Sequence, residues 1–342
     1  MKIAIATVQA PFIRGGAELL AEGLLAACRA ADHQAEIVSM PFRFAPDHEV
    51  ARAMTAWETE DFTRLNGHSP DVVIGLKFPA YYLQHPNQRL WLLHQHRVAY
   101  DLWRDDGPLS VVLRDEIRQR DSAYLGRISQ RFTIAENVCA RLRRFNGLES
   151  RALYPPPLHP ERFYRAEALP YIFFPSRLEK LKRQSLLIEA MAQVHSPVAA
   201  LIAGAGGEMT RYAELIERHG LGDRVRLLGA ITEQELQSLY AHCLGVFYGP
   251  YDEDYGYVTL EAMLSGKPVI TCTDSGGPLE FVTDQQTGLI VDPNPAAIAQ
   301  AIEFLASRPR VAASLGAAGY EKYQSLNMNW DWVLEQLLGS QP

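Results

Sequence analysis

Apolar and polar positions alternate along the chain in a pattern typical of strands and helices that follow one another. Residues 2–8 are apolar on both faces, as expected for a central strand covered by helices. Residues 34–40 and 71–76 predict further strands, and residues 17–29 and 51–65 carry apolar side chains at helical spacing. Strands that alternate with helices predict an α/β fold with parallel sheets.

The pattern is interrupted once and then begins again, which indicates two domains. Before the interruption come a fourth strand ending near WLLHQHR, a helix over 110–128, a strand over 132–135 and a helix over 137–145. Tyr154 is followed by three prolines, which stiffen the chain because proline fixes its own backbone dihedral. We therefore predict domains over 1–157 and 158–325, and a terminal helix over 326–342 that packs back on the first domain.

The most informative stretch runs from Phe247 to Thr271. An apolar run ending at Tyr248 predicts a buried strand, a polar loop follows, and a helix is predicted over 258–264. The next strand starts at Pro268. Strand, loop, helix and strand form one crossover unit of a parallel sheet, and ligands bind at such strand-to-helix loops.

The residues of this loop fit a nucleotide-sugar. Unpaired N–H groups at a helix start favour a phosphate, and here they belong to Tyr255, Gly256, Tyr257 and Val258. Gly256 lets a ligand approach the backbone closely. Glu253 can face a neutral polyol, and Glu261, about one turn inside the helix, can accept hydrogen bonds from a second pair of hydroxyls. Gly15 and Gly16, at the start of the first helix, form a second loop that an anion can approach.

Composition narrows the class of protein. A chain of 342 residues fits two domains of about 150 to 200 residues each, and a net charge of −7 argues against nucleic-acid binding. The four cysteines lie in apolar context without a C-x-x-C pair, which favours buried thiols in a reducing compartment. The first apolar run is too short for a signal peptide, and no run approaches about 18 apolar residues. We therefore expect a cytoplasmic protein.

With these residues in place, the chain resembles the retaining glycosyltransferases of family 4, which have the GT-B fold. Their pattern, like E-x-x-G-x-x-x-x-E-A-M-x-x-G-x-P-V, is matched here from Glu253 to Val269. The resemblance implies two Rossmann-like domains facing a central cleft, with the C-terminal helix crossing back to the first domain. It further implies that Glu253 holds the donor sugar and that Glu261 holds the ribose.

The resemblance also implies roles for residues outside this stretch. Arg177 and Lys182 stand where the family neutralises the donor diphosphate, a charge that needs compensation when no metal supplies it. His96 stands near the donor sugar's outer hydroxyls, with His94 as the alternative. The turn with Gly204 and Gly206 lines the nucleotide pocket, and the Gly15 and Gly16 loop faces the phosphates. Lys180 and Arg183 are expected on the surface.

One departure from the family pattern is Ala135, where many members carry serine. It puts one hydrogen bond to the acceptor or the phosphate in doubt. The tripeptide of Asp252, Glu253 and Asp254 is formally a D-x-D metal motif, but it lies three-quarters along the chain rather than after an early strand. We expect no metal and no cofactor beyond a UDP-, GDP- or ADP-sugar donor.

The predicted activity is transfer of a hexose-type sugar to an acceptor hydroxyl, in the synthesis of polysaccharide, lipopolysaccharide or another glycan or glycolipid. A nucleotide-sugar epimerase, a phosphorylase of the same fold and an inactive nucleotide-binding subunit are the alternatives.

The charge pattern adds an alternative for the acceptor. Residues 97–151 hold 11 arginines, no lysines and 8 acidic residues, so this segment is +3 and the remainder −10. Docking on an anionic membrane face, to reach a lipid-linked glycan, is one interpretation. A solvated helix face with arginines paired to Asp115, Glu116 and Asp121 is the other.

Overall fold

The computed structural model describes residues 1–339, and its contacts divide the chain into two compact units. The first unit contains Met1–Leu158 together with the chain from Asn329 on, and the second contains His159–Met328. The chain therefore leaves the first unit after the prolines and returns to it near the end. The last three residues of the predicted terminal segment lie outside the described part.

The first unit is built on a six-stranded parallel sheet in the order β2-β1-β3-β4-β5-β6. The strands are β1 (Lys2–Gln9), β2 (Gln34–Pro41), β3 (Val72–Gly75), β4 (Gln88–Leu92), β5 (Gln130–Thr133) and β6 (Arg151–Ala152). The helices between them are α1 (Gly16–Ala30), α2 (Asp47–Thr59), α3 (Val111–Arg127) and α4 (Glu136–Asn146). Short 3-10 turns follow β3 (Ala80–Tyr82) and β4 (Arg97–Ala99).

The second unit repeats this plan with a parallel sheet in the order β12-β11-β10-β7-β8-β9. Its strands are β7 (Tyr171–Pro175), β8 (Ala199–Ala203), β9 (Val225–Gly229), β10 (Gly245–Phe247), β11 (Val269–Cys272) and β12 (Gly288–Val291). Its helices are α5 (Gln184–Met191), α6 (Met209–Arg218), α7 (Glu233–His242), α8 (Tyr257–Leu264), α9 (Pro278–Phe281), α10 (Pro295–Ser307) and α11 (Pro309–Ser325). Two 3-10 turns, Pro160–Arg162 and Lys180–Lys182, complete it.

The chain ends on helix α12 (Trp330–Leu338), which belongs to the first unit. Its Trp330 ring packs against Gly23 of α1, where an added Cβ would collide with the indole. The same ring meets Trp91 of β4 edge to face, at 6.1 Å between centroids. Aromatic packing on α1 and β4 thus holds α12 on the first unit.

Local sequence signals account for most of these elements. β1 has six consecutive buried residues, as a strand covered on both faces requires. Helix α7 begins with a capping box, in which the Thr232 hydroxyl accepts from the Glu235 N–H at 3.2 Å.

All four cysteines are buried and outside any disulfide in the described chain. No helix within residues 1–339 is long and apolar enough to cross a membrane.

The first unit encloses a buried carboxylate, Asp121 on α3. One of the two interpretations of the charge pattern paired Asp121 with surface arginines, and this part of it is wrong because Asp121 is 0% exposed. It accepts hydrogen bonds from the hydroxyls of Tyr81, Tyr82 and Tyr100 at 2.9, 2.7 and 2.7 Å. Burial raises the pKa of Asp121 to about 6, against the lowering effect of these three donors. Asp121 thus ties the turns after β3 and β4 to α3.

Candidate functional site

The loop between β10 and α8 has the form that the sequence predicts for an anion site. Gly256 is the N-cap of α8 and has φ +89°. A Cβ there would lie 2.8 Å from the Tyr248 ring, so the turn needs glycine for both its backbone angle and its packing. Helix geometry leaves the first N–H groups of α8, on Tyr257 and Val258, without intrahelical acceptors. These groups are the donors available for a phosphate.

The side chain of Tyr255 belongs to the core. It is 3% exposed, and its ring meets those of Tyr257 and Phe281 at 5.1 and 5.5 Å between centroids. Its hydroxyl donates to the Met328 sulfur at 3.7 Å. Only the backbone of Tyr255 is therefore placed to serve a ligand, as the prediction of a backbone phosphate site requires.

The structure brings Lys182 and Glu253 together. Lys182 closes the 3-10 turn after β7, and its ammonium donates to a Glu253 carboxylate oxygen and, at 3.2 Å, to the Tyr248 hydroxyl. The two charged side chains are only 16% and 19% exposed, so solvent screens their attraction weakly. Burial raises the pKa of Tyr248 well above 10, which keeps its phenol neutral beside the pair.

Arg177 lies at the end of β7 and is more exposed than Lys182. Its guanidinium is 3.4 Å from a Glu179 carboxylate oxygen, and its side chain is 46% exposed. The backbone carbonyl of Arg177 accepts from the Gln184 amide at 2.9 Å, which fixes the turn. An exposed guanidinium on a fixed turn can reorient towards a ligand. The diphosphate role of Arg177 stays a prediction.

Gly204 and Gly206 are explained by packing against the turn that carries Arg177. A Cβ at Gly204 would collide with the Ser176 carbonyl oxygen, and one at Gly206 with the Leu178 carbonyl oxygen. Gly204 also has φ +130°, which favours glycine. The two backbones are joined by a hydrogen bond from the Leu178 N–H to the Ala205 carbonyl, at 3.0 Å. The glycines therefore position Arg177, and direct contact with a nucleotide stays a prediction.

Glu261 is held by a tyrosine that the sequence did not single out. Its carboxylate accepts from the Tyr240 hydroxyl at 2.7 Å. Burial raises the pKa of Glu261, and the bond from Tyr240 opposes this effect. A carboxylate with one fixed phenol donor keeps further acceptor positions for other hydroxyl groups. Tyr240 lies in the last turn of α7, and no local pattern in the sequence marks it.

Arg183 was expected on the surface and is instead bound on several sides. Its guanidinium forms a two-pronged ion pair with Asp274 at 2.8 and 2.7 Å, and the side chain is 17% exposed. Lys180, its neighbour in the same turn, is exposed as predicted. The signal in the sequence is absent because Asp274 lies 91 residues away.

His96, in the first unit, is buried among aromatic rings. It is 5% exposed and stacks on Phe78 and Phe44, at 5.0 and 6.4 Å between ring centroids. Burial, followed by the charges of His94 and Lys77, lowers the pKa of His96 to about 4. The imidazole is therefore neutral at neutral pH, and its Nε2 is buried without a hydrogen-bond partner in the described structure. His94 is more exposed, and its Nδ1 is 2.7 Å from the Gln95 carbonyl oxygen.

The glycine loop of the first unit is partly occupied by its own helix. Gly15 is the N-cap of α1 and Gly16 is its first residue. The Gly15 N–H donates to the Glu18 carboxylate at 2.8 Å. An anion at this helix start would have to use other N–H groups or displace Glu18. Ala135 is the N-cap of α4, a position where a serine hydroxyl could accept from the helix start.

The metal alternative concerns the carboxylates of Asp252, Glu253 and Asp254. Among residues 1–339, no group of three His, Cys, Asp or Glu side chains is arranged to hold a metal ion. Glu253, the middle residue of the tripeptide, is already bound to the Lys182 ammonium. Glu253 therefore already has a cationic partner in this loop, and the absence of a metal stays a prediction.

Comparisons with known proteins bear on the second unit above all. Residues 159–322 match the family model described as glycosyl transferases group 1. The chain is 32% identical over 160 residues to human Alpha-1,3/1,6-mannosyltransferase ALG2, a match that covers 42% of this chain and 38% of that protein. The chain thus spans well under half the length of this relative.

Solved structures match over nearly the whole chain. Sucrose-phosphate synthase from Thermosynechococcus elongatus matches with a TM-score of 0.80 at 20% identity, covering 98% of this chain and 96% of that one. Anabaena Alr3699/HepE, in complex with UDP-glucose, matches with a TM-score of 0.74 at 18% identity, covering 99% and 98%. At such identities the likeness concerns the fold. The fold class is therefore GT-B, and residues 159–322 are similar to the glycosyl transferases group 1.

Proposed function

We propose that the protein transfers a hexose-type sugar from a nucleoside-diphosphate sugar to an acceptor hydroxyl, with retention of configuration. The observation that carries the proposal is the Lys182 and Glu253 pair beside the start of α8, with Glu261 one turn further in. A cation, a helix N-terminus and two carboxylates in one loop region offer partners for a diphosphate and for two sets of hydroxyls. A nucleotide-sugar has these three parts.

The second unit divides the donor among its residues. Glu253 accepts hydrogen bonds from the sugar hydroxyls, and the N–H groups at the start of α8 bind the diphosphate. Glu261, held by Tyr240, binds the ribose. The names of two similar proteins support this class of donor, because one is a mannosyltransferase and the other was solved with UDP-glucose.

Lys182 has a specific part in the proposed reaction. In the structure its ammonium is neutralised by Glu253. A bound diphosphate offers a stronger anionic partner, so Lys182 turns from Glu253 to the phosphate and frees the carboxylate for the sugar. As the bond to the sugar breaks, negative charge grows on the leaving diphosphate, and Lys182 and Arg177 stabilise it without a metal. His96 and the Gly15 and Gly16 loop stay predicted donor contacts of the first unit.

The acceptor is proposed to be a glycan or a lipid-linked glycan, reached by peripheral contact with an anionic membrane. Exposed apolar side chains support such contact, because Val111 and Val112 at the start of α3 are 50% and 77% exposed. Charge supports it less, since many arginines of the 97–151 segment are paired. Arg114 bonds Asp115 at 2.7 Å, for example, and Arg120 bonds Glu116 at 2.7 Å.

Sedimentation with vesicles tests the membrane contact. Anionic vesicles should recover more protein than neutral ones at low salt, and Val112→Asp should reduce that recovery. Arg43→Ala offers a control that removes a surface charge without touching α3. Equal recovery with both vesicle types would reject the membrane contact and favour a soluble acceptor.

A donor screen tests the proposed activity itself. The protein is incubated with UDP-, GDP- and ADP-sugars, and release of the free nucleoside diphosphate is followed with and without candidate acceptors. We expect hydrolysis or transfer with one donor class and retention at the anomeric carbon by NMR. Glu253→Gln should abolish it, and Glu217→Gln, which changes an exposed carboxylate on α6 of the same unit, is the matched control.

Each alternative has its own outcome in this screen. A changed sugar stereocentre without release of nucleotide would identify an epimerase. Release that requires inorganic phosphate would identify a phosphorylase. Nucleotide binding by calorimetry without turnover of any donor would identify an inactive nucleotide-binding subunit and reject the proposed transfer.

A further inference from the structure

Arg183 has a backbone conformation that arginine seldom adopts. It directly follows Lys182, caps the start of α5 and has φ +56°. Left-handed backbone is uncommon for residues other than glycine, asparagine and aspartate, so the surrounding contacts must hold it in place. The side chain is 17% exposed, although an arginine in such a turn would ordinarily extend into solvent.

The guanidinium uses its fork of donors on two separate segments. Nη1 and Nη2 donate to the two carboxylate oxygens of Asp274, at 2.8 and 2.7 Å. Nε donates to the Gly249 carbonyl and Nη2 to the Pro250 carbonyl, both at 2.8 Å. A planar guanidinium can serve this set of acceptors at once, whereas a lysine ammonium lacks the fork geometry.

Backbone hydrogen bonds also attach the loop that carries Glu253 to the turn of Arg183 and to the segment of Asp274. The Tyr251 N–H donates at 2.8 Å to the carbonyl of Leu181, which lies in the same turn as Lys182. The Asp252 N–H donates to the Asp274 carbonyl at 2.9 Å. Asp274 thus binds the loop with its backbone carbonyl and binds Arg183 with its side chain. The next residue, Ser275, also binds the loop, because its carbonyl accepts from the Glu253 N–H at 2.9 Å.

From this arrangement we propose that Arg183 is a positioning residue that fixes the Glu253 loop, residues 249–254, against the turns at 181–183 and 273–277. It acts through Asp274 and two loop carbonyls, and it does not itself touch the donor. The inference rests on the proposed function, because it assigns the placement of that site's sugar-binding carboxylate. It further states that the geometry of the Lys182 and Glu253 pair depends on the ion pair of Arg183 and Asp274, which lies outside the donor site.

Two substitutions separate the guanidinium from the backbone. Arg183→Gly removes the side chain and suits a positive φ, so backbone strain cannot explain its effect. Asp274→Asn weakens the ion pair but leaves Arg183 its bonds to the Gly249 and Pro250 carbonyls. Arg162→Gly is the matched control, because it removes an exposed arginine of the same unit that pairs with Glu233 at 2.9 Å.

Hydrogen exchange of the full-length protein gives the first readout, and it needs no substrate. In Arg183→Gly the amides of Tyr251, Asp252 and Glu253 should exchange about tenfold faster or more, since their bonds depend on a fixed loop. In the same variant, amides in the last turn of α8 should exchange at the wild-type rate. In Arg162→Gly, both the loop amides and the α8 amides should exchange at the wild-type rate. Unchanged loop exchange in Arg183→Gly would overturn the proposal. Faster exchange throughout the second unit in both Arg183→Gly and Asp274→Asn would overturn it too, because it would indicate a general structural role.

Turnover gives the second readout, with the donor class identified in the screen. Because a displacement of about 1 Å can cost on the order of a hundredfold in rate, kcat should fall by about that factor in Arg183→Gly. The affinity for bare nucleoside diphosphate should fall less than kcat, because α8 and Glu261 bind it independently of the Glu253 loop. Arg183→Lys should recover only part of kcat, and added methylguanidinium should raise kcat in Arg183→Gly. Wild-type kcat in Arg183→Gly would overturn the positioning role.

The two readouts distinguish failure of this inference from failure of the proposed function. If the wild-type protein turns over no donor, the proposed transfer fails, and the exchange rates still decide whether Arg183 fixes the loop. If the wild type is active and Arg183→Gly has the same loop exchange rates and the same kcat as the wild type, the proposed transfer stands and the inference fails.

Discussion

The buried carboxylate of Asp121 makes the stability of the first unit depend on pH in a direction that can be stated beforehand. Its pKa is 3.8 in a solvated chain and about 6 in the folded unit. A carboxyl with a higher pKa in the folded state takes up protons on folding. Its favourable contribution is therefore fully present below the unfolded pKa and is lost as the pH rises through about 6.

The magnitude follows from the size of that shift. At about 1.36 kcal/mol per pKa unit, the full change is about 3 kcal/mol, and roughly half of it falls between pH 5 and pH 7.5. Asp121→Asn removes the titration but keeps an oxygen that can accept from the tyrosine hydroxyls. Relative to wild type, the free energy of unfolding of this variant should therefore rise by about 1 to 2 kcal/mol between pH 5 and pH 7.5.

Tryptophan fluorescence during urea unfolding measures the free energy of unfolding of the first unit, which contains Asp121. All five tryptophans, at positions 57, 91, 103, 330 and 332, lie in the first unit. Asp115→Asn, on the same helix but with an exposed carboxylate, is the matched control. A difference between wild type and Asp121→Asn that stays constant with pH would refute the assignment of a raised pKa to Asp121.

The remaining predictions concern the donor site. Lys182→Ala and Arg177→Ala should each lower kcat by about a hundredfold, or about 3 kcal/mol, with near-native circular dichroism; unchanged turnover in both would contradict their diphosphate role. Glu261→Ala should weaken calorimetric binding of the bare nucleoside diphosphate, whereas Glu253→Ala should spare that binding and lower turnover. Equal binding losses would reject this division. Activity should survive EDTA, and its loss with recovery on adding manganese would restore the metal alternative at residues 252–254.

Much of the fold could be predicted because its signals are local. The buried strand Lys2–Gln9 follows from a run that is apolar on both faces, and the capping box at Thr232 from a four-residue pattern. The strand, glycine turn and helix around Gly256 also follow from neighbouring residues, since only glycine suits its φ and its packing. Sequence alone therefore determined the element types, the two series of strands and the position of the predicted donor loop.

The contacts that organise the candidate site were decided only by the tertiary structure. Lys182 meets Glu253 across 71 positions, and Arg183 meets Asp274 across 91. Asp121 sits among arginines in the sequence, yet the helix turns it towards three tyrosines from other elements. These residues meet because the strands that precede them end side by side in a sheet. The spacing of residues along one helix or loop does not indicate which strands are neighbours, because the order of strands in the sheet differs from their order in the chain.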